Sequence, residues 1–224
     1  MNWNLKLYKL AISLLCLASA ISCRSGSEKT SRINTLPYYD DASFTPHWFD
    51  DAPPEGFHRI PSFELTDQEG NTITERTFRD KIYVVNFFFT SCPGICPKMT
   101  KNMHVLQEEF IDDDNVLLLS HSVTPDYDSV SVLRAYAEKK GIQSEKWHLV
   151  TGDRKQIYHL GRDFYFVEED LGLQKSADDF LHTENFVLID QNKYIRGIHN
   201  GLSKSSVQQL IADIKLLEGE LKRR

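Results

Sequence analysis

Apolar residues are distributed along this chain in two kinds of pattern, continuous runs and helical spacing. Residues 82–89 and 116–123 are nearly continuous apolar runs, typical of strands that are covered on both faces of a sheet. The segments 98–110, 130–140 and 205–222 read as helices, and the last of them is amphipathic. Buried strands and helices are therefore predicted to alternate over most of the chain.

Shorter elements complete the prediction. They are a hairpin around Gly70-Asn71, a strand at 147–150, a helix at 154–160 capped by Asp153, a short edge strand at 164–167 and a hairpin at 185–198. Residues 168–179 read as an acidic, irregular loop. Crossover helices between the central strands and a hairpin at each end indicate an α/β domain with a mixed sheet.

The first 22 residues have the pattern of an export signal. Lys6 and Lys9 precede an apolar stretch at residues 10–20, which is too short to span a bilayer as a permanent helix. The sequence Ala-Ile-Ser-Cys that ends at Cys23 resembles a bacterial lipobox, with Ala20 where the motif usually has Leu. Cys23 would then be the lipidated first residue. An ordinary cleaved signal and an uncleaved anchor are the alternatives, and all three place the globular part outside the cytoplasm.

The chain divides into three predicted parts: a lipoprotein-type signal (1–22), a polar tether (23–56) and a folded domain (57–224). The tether has Ser, Asp and Pro punctuation and no periodicity, which favours a linker that holds the domain off a membrane. Its aromatic residues exceed what a linker needs, so we expect them to pack on the domain, with a partner site as the alternative. They are Tyr38, Tyr39, Phe44, Trp48 and Phe49.

Composition and charge indicate a globular protein and argue against one class of partner, nucleic acid. A hydrophobic content of 41% with 26% charged residues is normal for a globular protein, and the length suggests one domain with a real core. The formal net charge is −6. Nucleic-acid-binding proteins concentrate Lys and Arg, so nucleic acid is not predicted as a partner.

Two cysteines lie where the first buried strand turns into a helix, in the sequence TSCPGICP at residues 90–97. Cys16 would leave with the signal, so Cys92 and Cys96 are the pair that remains in the domain. Residues four apart at a helix start share a face, which lets the two thiols approach for a disulfide or for joint metal ligation. The helix N-terminus is expected to lower their pKa. A disulfide closing so small a loop stabilises little, which favours a functional role.

A thiol turn after the first buried strand is the thioredoxin arrangement, so the predicted fold is a thioredoxin-like mixed sheet flanked by helices, with an N-terminal β-hairpin and an inserted hairpin in the C-terminal half. In such a sheet, the loop before the strand at residue 185 faces the thiol turn. Ordinary thioredoxins have a cis-proline there, whereas this chain has His182.

His182 converts a dithiol exchange site into a candidate metal site with Cys92 and Cys96. His121, near the end of the neighbouring strand, is the reserve candidate among eight histidines. Two thiolates and one imidazole suit copper, because sulfur favours Cu(I) and nitrogen also accommodates Cu(II). Zinc is the alternative, although structural zinc normally has four protein ligands.

The thiol turn resembles the T-x-C-P-x-x-C-P signature of the Sco (SenC) copper-delivery proteins of cytochrome c oxidase assembly. His182 lies 86 residues after Cys96, similar to the distance in that family between the second cysteine and the ligand histidine. The resemblance also covers residues 63–70, 122–126 and 136–141. It implies a membrane-tethered, thioredoxin-like domain that binds copper through Cys92, Cys96 and His182.

One position departs from the family pattern. An acidic residue often precedes the ligand histidine and a small hydroxyl residue follows it; here Leu181 replaces the acid and Thr183 fits. A carboxylate that orients the imidazole would have to come from Asp178, Asp179 or Glu184. Copper affinity is affected by this departure more than the fold.

The predicted function is an exported, lipid-anchored copper protein that delivers copper to, or matures, the copper A site of cytochrome c oxidase. Its predicted partners are the copper-bearing oxidase subunit or another copper acceptor, a thiol-disulfide reductant, and a membrane bound through the lipid. Oxidation to a Cys92–Cys96 disulfide would abolish the thiolate ligands and release copper. The alternatives are a thiol-disulfide reductase, a peroxidase with Cys92 as nucleophile, and a redox-sensing module that uses the same two thiols.

Overall fold

A computed structural model describes residues 35–167 and 183–223. The helices and strands in these two segments alternate largely as the sequence predicts. In chain order they are β1 (Glu64–Asp67), β2 (Thr72–Thr74), β3 (Ile82–Phe88), α1 (Cys96–Glu109), β4 (Val116–Ser122), α2 (Val130–Lys140), β5 (Trp147–Thr151), α3 (Arg154–His159), a π-helical turn (Leu160–Phe164), β6 (Asn185–Ile189), β7 (Ile195–Asn200) and α4 (Lys204–Arg223).

The strands form one open mixed sheet in the order β2-β1-β5-β4-β3-β6-β7. The three central strands β3, β4 and β5 are parallel, while β6 runs antiparallel to β3 and β1 antiparallel to β5. Phe88 at the end of β3 is paired with Ser122 at the end of β4. The predicted mixed sheet with a hairpin at each edge is confirmed, and the carboxyl ends of β3 and β4 meet at one edge.

Both faces of the sheet are covered, which explains the continuous apolar runs. Every residue of β3 and of β4 is buried. Alternate side chains such as Val84 and Leu118 pack under α1, α2 and α4. Their neighbours, such as Val85 and Leu119, pack on the other face with α3 and the segment before β1. Strand side chains alternate between faces, so the parity of a residue number in β3 or β4 decides which core it joins.

Helix ends form where capping residues stand in the sequence. The Ser129 hydroxyl accepts a hydrogen bond of 3.4 Å from the backbone N–H of Val132 at the start of α2. Gly141 ends that helix with a φ of +70°, a conformation that is open to glycine without a Cβ penalty. At the start of α3, Asp153 accepts a bond of 2.7 Å from the N–H of Gln156, as predicted.

The edge strand predicted at residues 164–167 is wrong. The chain leaves α3 through the π-helical turn, and the N–H groups of Tyr165 and Val167 donate to the carbonyls of Leu160 and Gly161. Phe166 has a φ of +49°, which is not an extended conformation. The apolar character of this segment reflects packing in the core beneath α3 and not strand pairing.

The second half of the predicted tether is packed on the domain. The Arg196 side chain, 3% exposed, donates hydrogen bonds of 2.8 Å to the Leu36 carbonyl and 3.1 Å to the Pro37 carbonyl. The same guanidinium pairs with Asp190 at 3.1 Å and with Glu220 at 2.9 Å. We call this arrangement the Arg196 clamp; it joins the chain at residues 36–37 to β7 and α4.

The aromatic residues of this segment behave largely as predicted. Tyr38 packs against Phe49, Phe57 and Tyr194, with ring centroids 5.5 to 6.2 Å apart, while Trp48 stays 41% exposed. The compact unit begins at Thr35, so the predicted boundary at residue 57 lies inside packed structure. The predicted signal and the lipidation site at Cys23 lie outside the described residues.

No helix within residues 35–167 and 183–223 is both long enough and apolar enough to cross a bilayer.

Candidate functional site

The thiol turn connects the end of β3 to the start of α1. Cys92 lies in the turn, where its N–H donates a 3.3 Å hydrogen bond to the carbonyl of Phe89, and Cys96 is the first residue of α1. Both are free thiols, Cys92 half-buried and Cys96 buried. The sequence argument placed both thiols on one helical face, but Cys92 precedes the helix. The turn, and not a shared helical face, therefore brings the two thiols together. The helix also begins two residues earlier than predicted, at Cys96 instead of Lys98.

The two thiols are electrostatically unequal. Burial opposes ionisation of Cys92, but hydrogen bonds from the Cys96 thiol and from the N–H groups of Gly94, Ile95 and Cys96 outweigh it and lower the pKa of Cys92. Burial, and next the hydrogen bond to Cys92, raise the pKa of Cys96 to about 12. The predicted lowering by the helix N-terminus therefore holds for Cys92 and is wrong for Cys96, whose burial dominates.

A cavity of about 320 Å³ opens beside the thiols. Its wall is mainly apolar, and none of its described lining residues carries a charged side chain. The lining residues are Phe87, Phe88, Phe89, Cys92, Pro93, Gly94, Ile95, Cys96, Val123 and Thr183. A site that is shielded from water on one side and lined by sulfur suits a soft ligand for the thiols.

The predicted third ligand, His182, lies outside the described residues. Its neighbour Thr183 is described, lines the same cavity as the two cysteines, and accepts a 3.0 Å hydrogen bond from the N–H of Asn185 through its hydroxyl. The loop before β6 therefore reaches the thiol turn, as the thioredoxin-like arrangement predicts. The role of His182 itself stays a prediction, as do the carboxylate candidates Asp178 and Asp179.

His121, the reserve ligand, points away from the thiols. It is fully buried on the face of β4 that packs with Phe63, Phe87 and Tyr165. Cys96, the first residue of α1, packs in the core on the opposite face of the sheet. Side chains alternate between the two faces of a strand, so Ser120 and Ser122 face the thiol side and His121 faces the other side. The reserve assignment is therefore wrong.

The other described histidines serve other contacts. His148 lies 3.2 Å from Asp67, His199 lies 3.3 Å from Asp213, and His104 packs on Trp147. Within residues 35–167 and 183–223, no group of three or more His, Cys, Asp or Glu side chains is arranged to hold a metal.

A buried carboxylate behind the thiol turn was not predicted from the sequence. Asp128 is fully buried and accepts hydrogen bonds from Thr90, Ser122 and Thr124. The sequence did contain a signal for it. Hydroxyl residues and an acidic residue follow one another at and after the end of β4, at the same sheet edge where Cys92 follows β3. The family resemblance covers residues 122–126, and the sequence predicted no role for Asp128 beyond its place in the chain break before α2.

A mixed sheet of this order, with two thiols in the turn after a central parallel strand, defines a thioredoxin-like dithiol protein. The SCO1/SenC family model matches residues 52–217. The chain therefore belongs to the SCO1/SenC family, as the resemblance of the thiol turn predicted.

Individual relatives agree with this membership. The SCO1 protein homolog of Bacillus subtilis is 23% identical over 161 residues, covering 70% of this chain and 82% of that protein. The crystal structure of a SCO1/SenC family lipoprotein from Bacillus anthracis is 30% identical with a TM-score of 0.62, covering 72% of this chain and 95% of that one. Yeast Sco1, crystallised with copper bound, is 21% identical with a TM-score of 0.53, covers 70% and 89%, and supports the fold.

Proposed function

We propose that this protein binds copper through Cys92, Cys96 and His182 and delivers it to the copper A site of cytochrome c oxidase, or otherwise matures that site. Copper is the cargo and not a resident cofactor. The observation that carries the proposal is the hydrogen-bonded Cys92 and Cys96 thiols at an apolar cavity that Thr183, the neighbour of His182, also lines.

The donor set fits this cargo. Two sulfur atoms within hydrogen-bonding reach of each other provide the soft ligands that copper prefers, and the backbone N–H groups around Cys92 stabilise its thiolate form. No described lysine or arginine lines the cavity to repel a cation. The structural neighbour BsSco is a member of the Sco family of cytochrome c oxidase assembly proteins, and yeast Sco1 was crystallised with copper bound. Both support the same assignment here.

We further propose that the chain is an extracytoplasmic lipoprotein on the periplasmic face of a membrane, with a signal at 1–22, lipid on Cys23 and a tether before Thr35. The export pattern of the first 22 residues supports this placement. The SCO1/SenC family lipoprotein from Bacillus anthracis gives independent support.

The difference in exposure and pKa between the two thiols suits copper transfer. Cys92 is the more exposed and the more acidic of the two, so it is the group that reaches an incoming or departing partner first. Cys96 is buried and loses its proton only with a strong stabilising partner such as a metal ion, because the pKa of its free thiol is about 12. Binding therefore releases a proton from Cys96, and protonation of Cys96 favours release.

Copper titration of the reduced full chain tests the proposal. Cys16→Ser and Cys23→Ser in the background leave Cys92 and Cys96 as the only thiols of the four cysteines. We expect one equivalent of copper to bind, with thiolate-to-Cu(II) charge transfer in absorption and a matching EPR signal. His182→Ala should weaken binding, whereas His104→Ala, a histidine that packs on Trp147, should not. Unchanged affinity in His182→Ala would remove His182 from the ligand set.

A second candidate is thiol-disulfide exchange or peroxide reduction through Cys92, with Cys96 as the resolving thiol. The low pKa of Cys92 beside the high pKa of Cys96 favours it. Turnover assays with a protein disulfide and with hydrogen peroxide, both in copper-free buffer, separate the two functions. Fast steady-state turnover without copper would favour the enzyme.

A further inference from the structure

The Asp128 carboxylate accepts four hydrogen bonds behind the thiol turn. From the turn itself, the Thr90 hydroxyl donates to Oδ1 and the Thr90 N–H donates to Oδ2 over 3.2 Å. From the end of β4, the Ser122 hydroxyl donates to Oδ2 over 2.6 Å and the Thr124 hydroxyl over 3.1 Å. We call these four contacts the Asp128 network. It links the segment after β3 to the end of β4 and the loop that follows, and Thr90 lies two residues before Cys92.

The chemistry of this network is unusual for a core. Asp128 is fully buried, and among the described residues no lysine or arginine forms an ion pair with it. A buried carboxylate is destabilising unless hydrogen bonds replace the lost water, and here hydroxyl and N–H donors do so. It also lies two residues before α2, at the helix end that favours negative charge. Apolar side chains would fill the same space without desolvating three hydroxyls and a carboxylate.

Thr90 connects the Asp128 network to the thiol turn. Thr90 is bound through both its N–H and its hydroxyl, so its position relative to β4 is fixed at two points. The next fixed point along the chain is the bond from the Cys92 N–H to the Phe89 carbonyl. Thr90 thus fixes the start of the thiol turn, while the hydrogen bonds from Gly94, Ile95 and Cys96 hold the Cys92 sulfur from the other side.

We propose that Asp128 is the positioning residue of the dithiol site, holding the thiol turn through Thr90 so that Cys92 stays within reach of Cys96. It touches neither sulfur and acts through Thr90. The inference rests on the proposed function only in taking Cys92 and Cys96 as the working groups, and part of its test needs no copper.

Thr90→Val is the decisive substitution, because it removes the hydroxyl donor, keeps the shape of the side chain and leaves the Asp128 charge in place. Thr90→Ser keeps the hydroxyl and is the rescue variant. Asp128→Asn weakens the network from the other side. The matched control is Asp67→Asn, since Asp67 is similarly buried and accepts N–H bonds from Glu69 and Asn71. It lies in β1, which β5 and β4 separate from β3.

Two measurements are made on the full chain carrying Cys16→Ser and Cys23→Ser. The first is copper affinity by competition with a chelator of known strength. Partners that orient metal ligands typically contribute about 10- to 100-fold to affinity, so we expect Thr90→Val and Asp128→Asn to bind copper about tenfold more weakly. Thr90→Ser should bind as the parent does, and Asp67→Asn should too.

The second measurement is the equilibrium constant for the Cys92–Cys96 disulfide against glutathione, in copper-free buffer. Loosening the turn lowers the effective concentration of one thiol at the other, so we expect Thr90→Val to reduce this constant at least about threefold and Thr90→Ser to restore it. A general loss of stability does not produce this pattern. The oxidant is glutathione disulfide, which takes two electrons and yields two glutathione thiols as the intramolecular S–S bond forms.

The outcomes separate the two proposals. Failure of the parent to bind copper overturns the proposed function, while the glutathione equilibrium still tests Asp128. Folded Thr90→Val and Asp128→Asn proteins with parental values in both measurements overturn the positioning role. An Asp67→Asn effect as large as that of Asp128→Asn, or no rescue by Thr90→Ser, overturns it as well.

Discussion

The imidazole of His121 stacks on the ring of Phe87, with centroids 4.9 Å apart and planes inclined by 18°. Both ring nitrogens of His121 are buried without a hydrogen-bond partner among the described residues. Burial accordingly lowers the pKa of His121 from 6.5 to about 3. The residue that looked like a reserve metal ligand is instead an uncharged component of an aromatic core.

Acid should therefore destabilise the protein through His121. The folded state binds this proton only below about pH 3 and the unfolded state below 6.5, so stability is intact above 6.5 and falls as pH drops through that window. His121→Phe should remove roughly 2.5 kcal/mol of the stability difference between about pH 7 and about pH 4.5. Urea unfolding at the two pH values measures it. His159→Gln, at an exposed site, is the control and should change the difference little.

Alkylation should distinguish the two thiols. Cys92 is half-buried with a lowered pKa, whereas Cys96 is buried with a pKa of about 12. Iodoacetamide at about pH 7 should modify Cys92 at least about 100-fold faster than Cys96, because the thiolate is the nucleophile. Peptide mapping by mass spectrometry assigns each site. Cys96→Ala removes the thiol hydrogen bond to Cys92 and should slow alkylation of Cys92 at neutral pH; equal rates for the two cysteines in the parent would contradict the assignment.

The Arg196 clamp should be a large contributor to stability. Arg196→Ala leaves Asp190 and Glu220 buried without their cation, which typically costs about 3 to 5 kcal/mol. Lys215→Ala breaks a solvent-exposed ion pair with Glu109 and should cost less than about 1 kcal/mol. Chemical denaturation of both variants compares them directly. Similar losses would show that burial is not what gives the clamp its strength.

A polar chain inside the core under α1 and α2 gives another measurable effect. Trp147 donates its indole N–H over 2.7 Å to the Ser120 hydroxyl, which in turn donates to the Asn86 side chain over 2.5 Å. Ser120→Ala leaves the buried indole N–H unpaired and should lower the free energy of unfolding by about 1 to 3 kcal/mol. Ser131→Ala, on an exposed helix surface, is the control and should stay within about 0.5 kcal/mol. Urea unfolding of both variants measures the difference.

Local patterns were enough to predict the scaffold. The apolar runs of β3 and β4 identified buried strands because both faces are covered. Gly141 marked a helix end through its backbone conformation, and Asp153 marked a helix start through its side-chain cap. The thiol turn could be located because Cys92 and Cys96 are close in sequence and the signature around them is specific. Each of these features is encoded within a few residues.

Features that depend on distant contacts were not predictable in this way. Whether His121 faces the thiols depends on strand register, and the high pKa of Cys96 depends on how deeply α1 buries it. The segment 164–167 has strand-like composition, yet local hydrogen bonds hold it in a turn. Asp128 matters through Thr90, which lies 38 residues away in the chain.

The Arg196 clamp is also the point at which a force on the chain before residue 36 would reach the domain. Leu36 and Pro37 are bound beside Ile195, whose partner Ile189 in β6 pairs with Tyr83 near the start of β3, whereas the thiol turn follows the opposite end of β3. With seven residues in β3, the two points are separated by roughly 20 Å along the strand direction. A pull on the chain at residue 36 is borne by the guanidinium and by the antiparallel bridge to β7 that follows it. For the anchor proposed upstream of Thr35, the attachment and the thiol turn therefore lie toward opposite ends of β3.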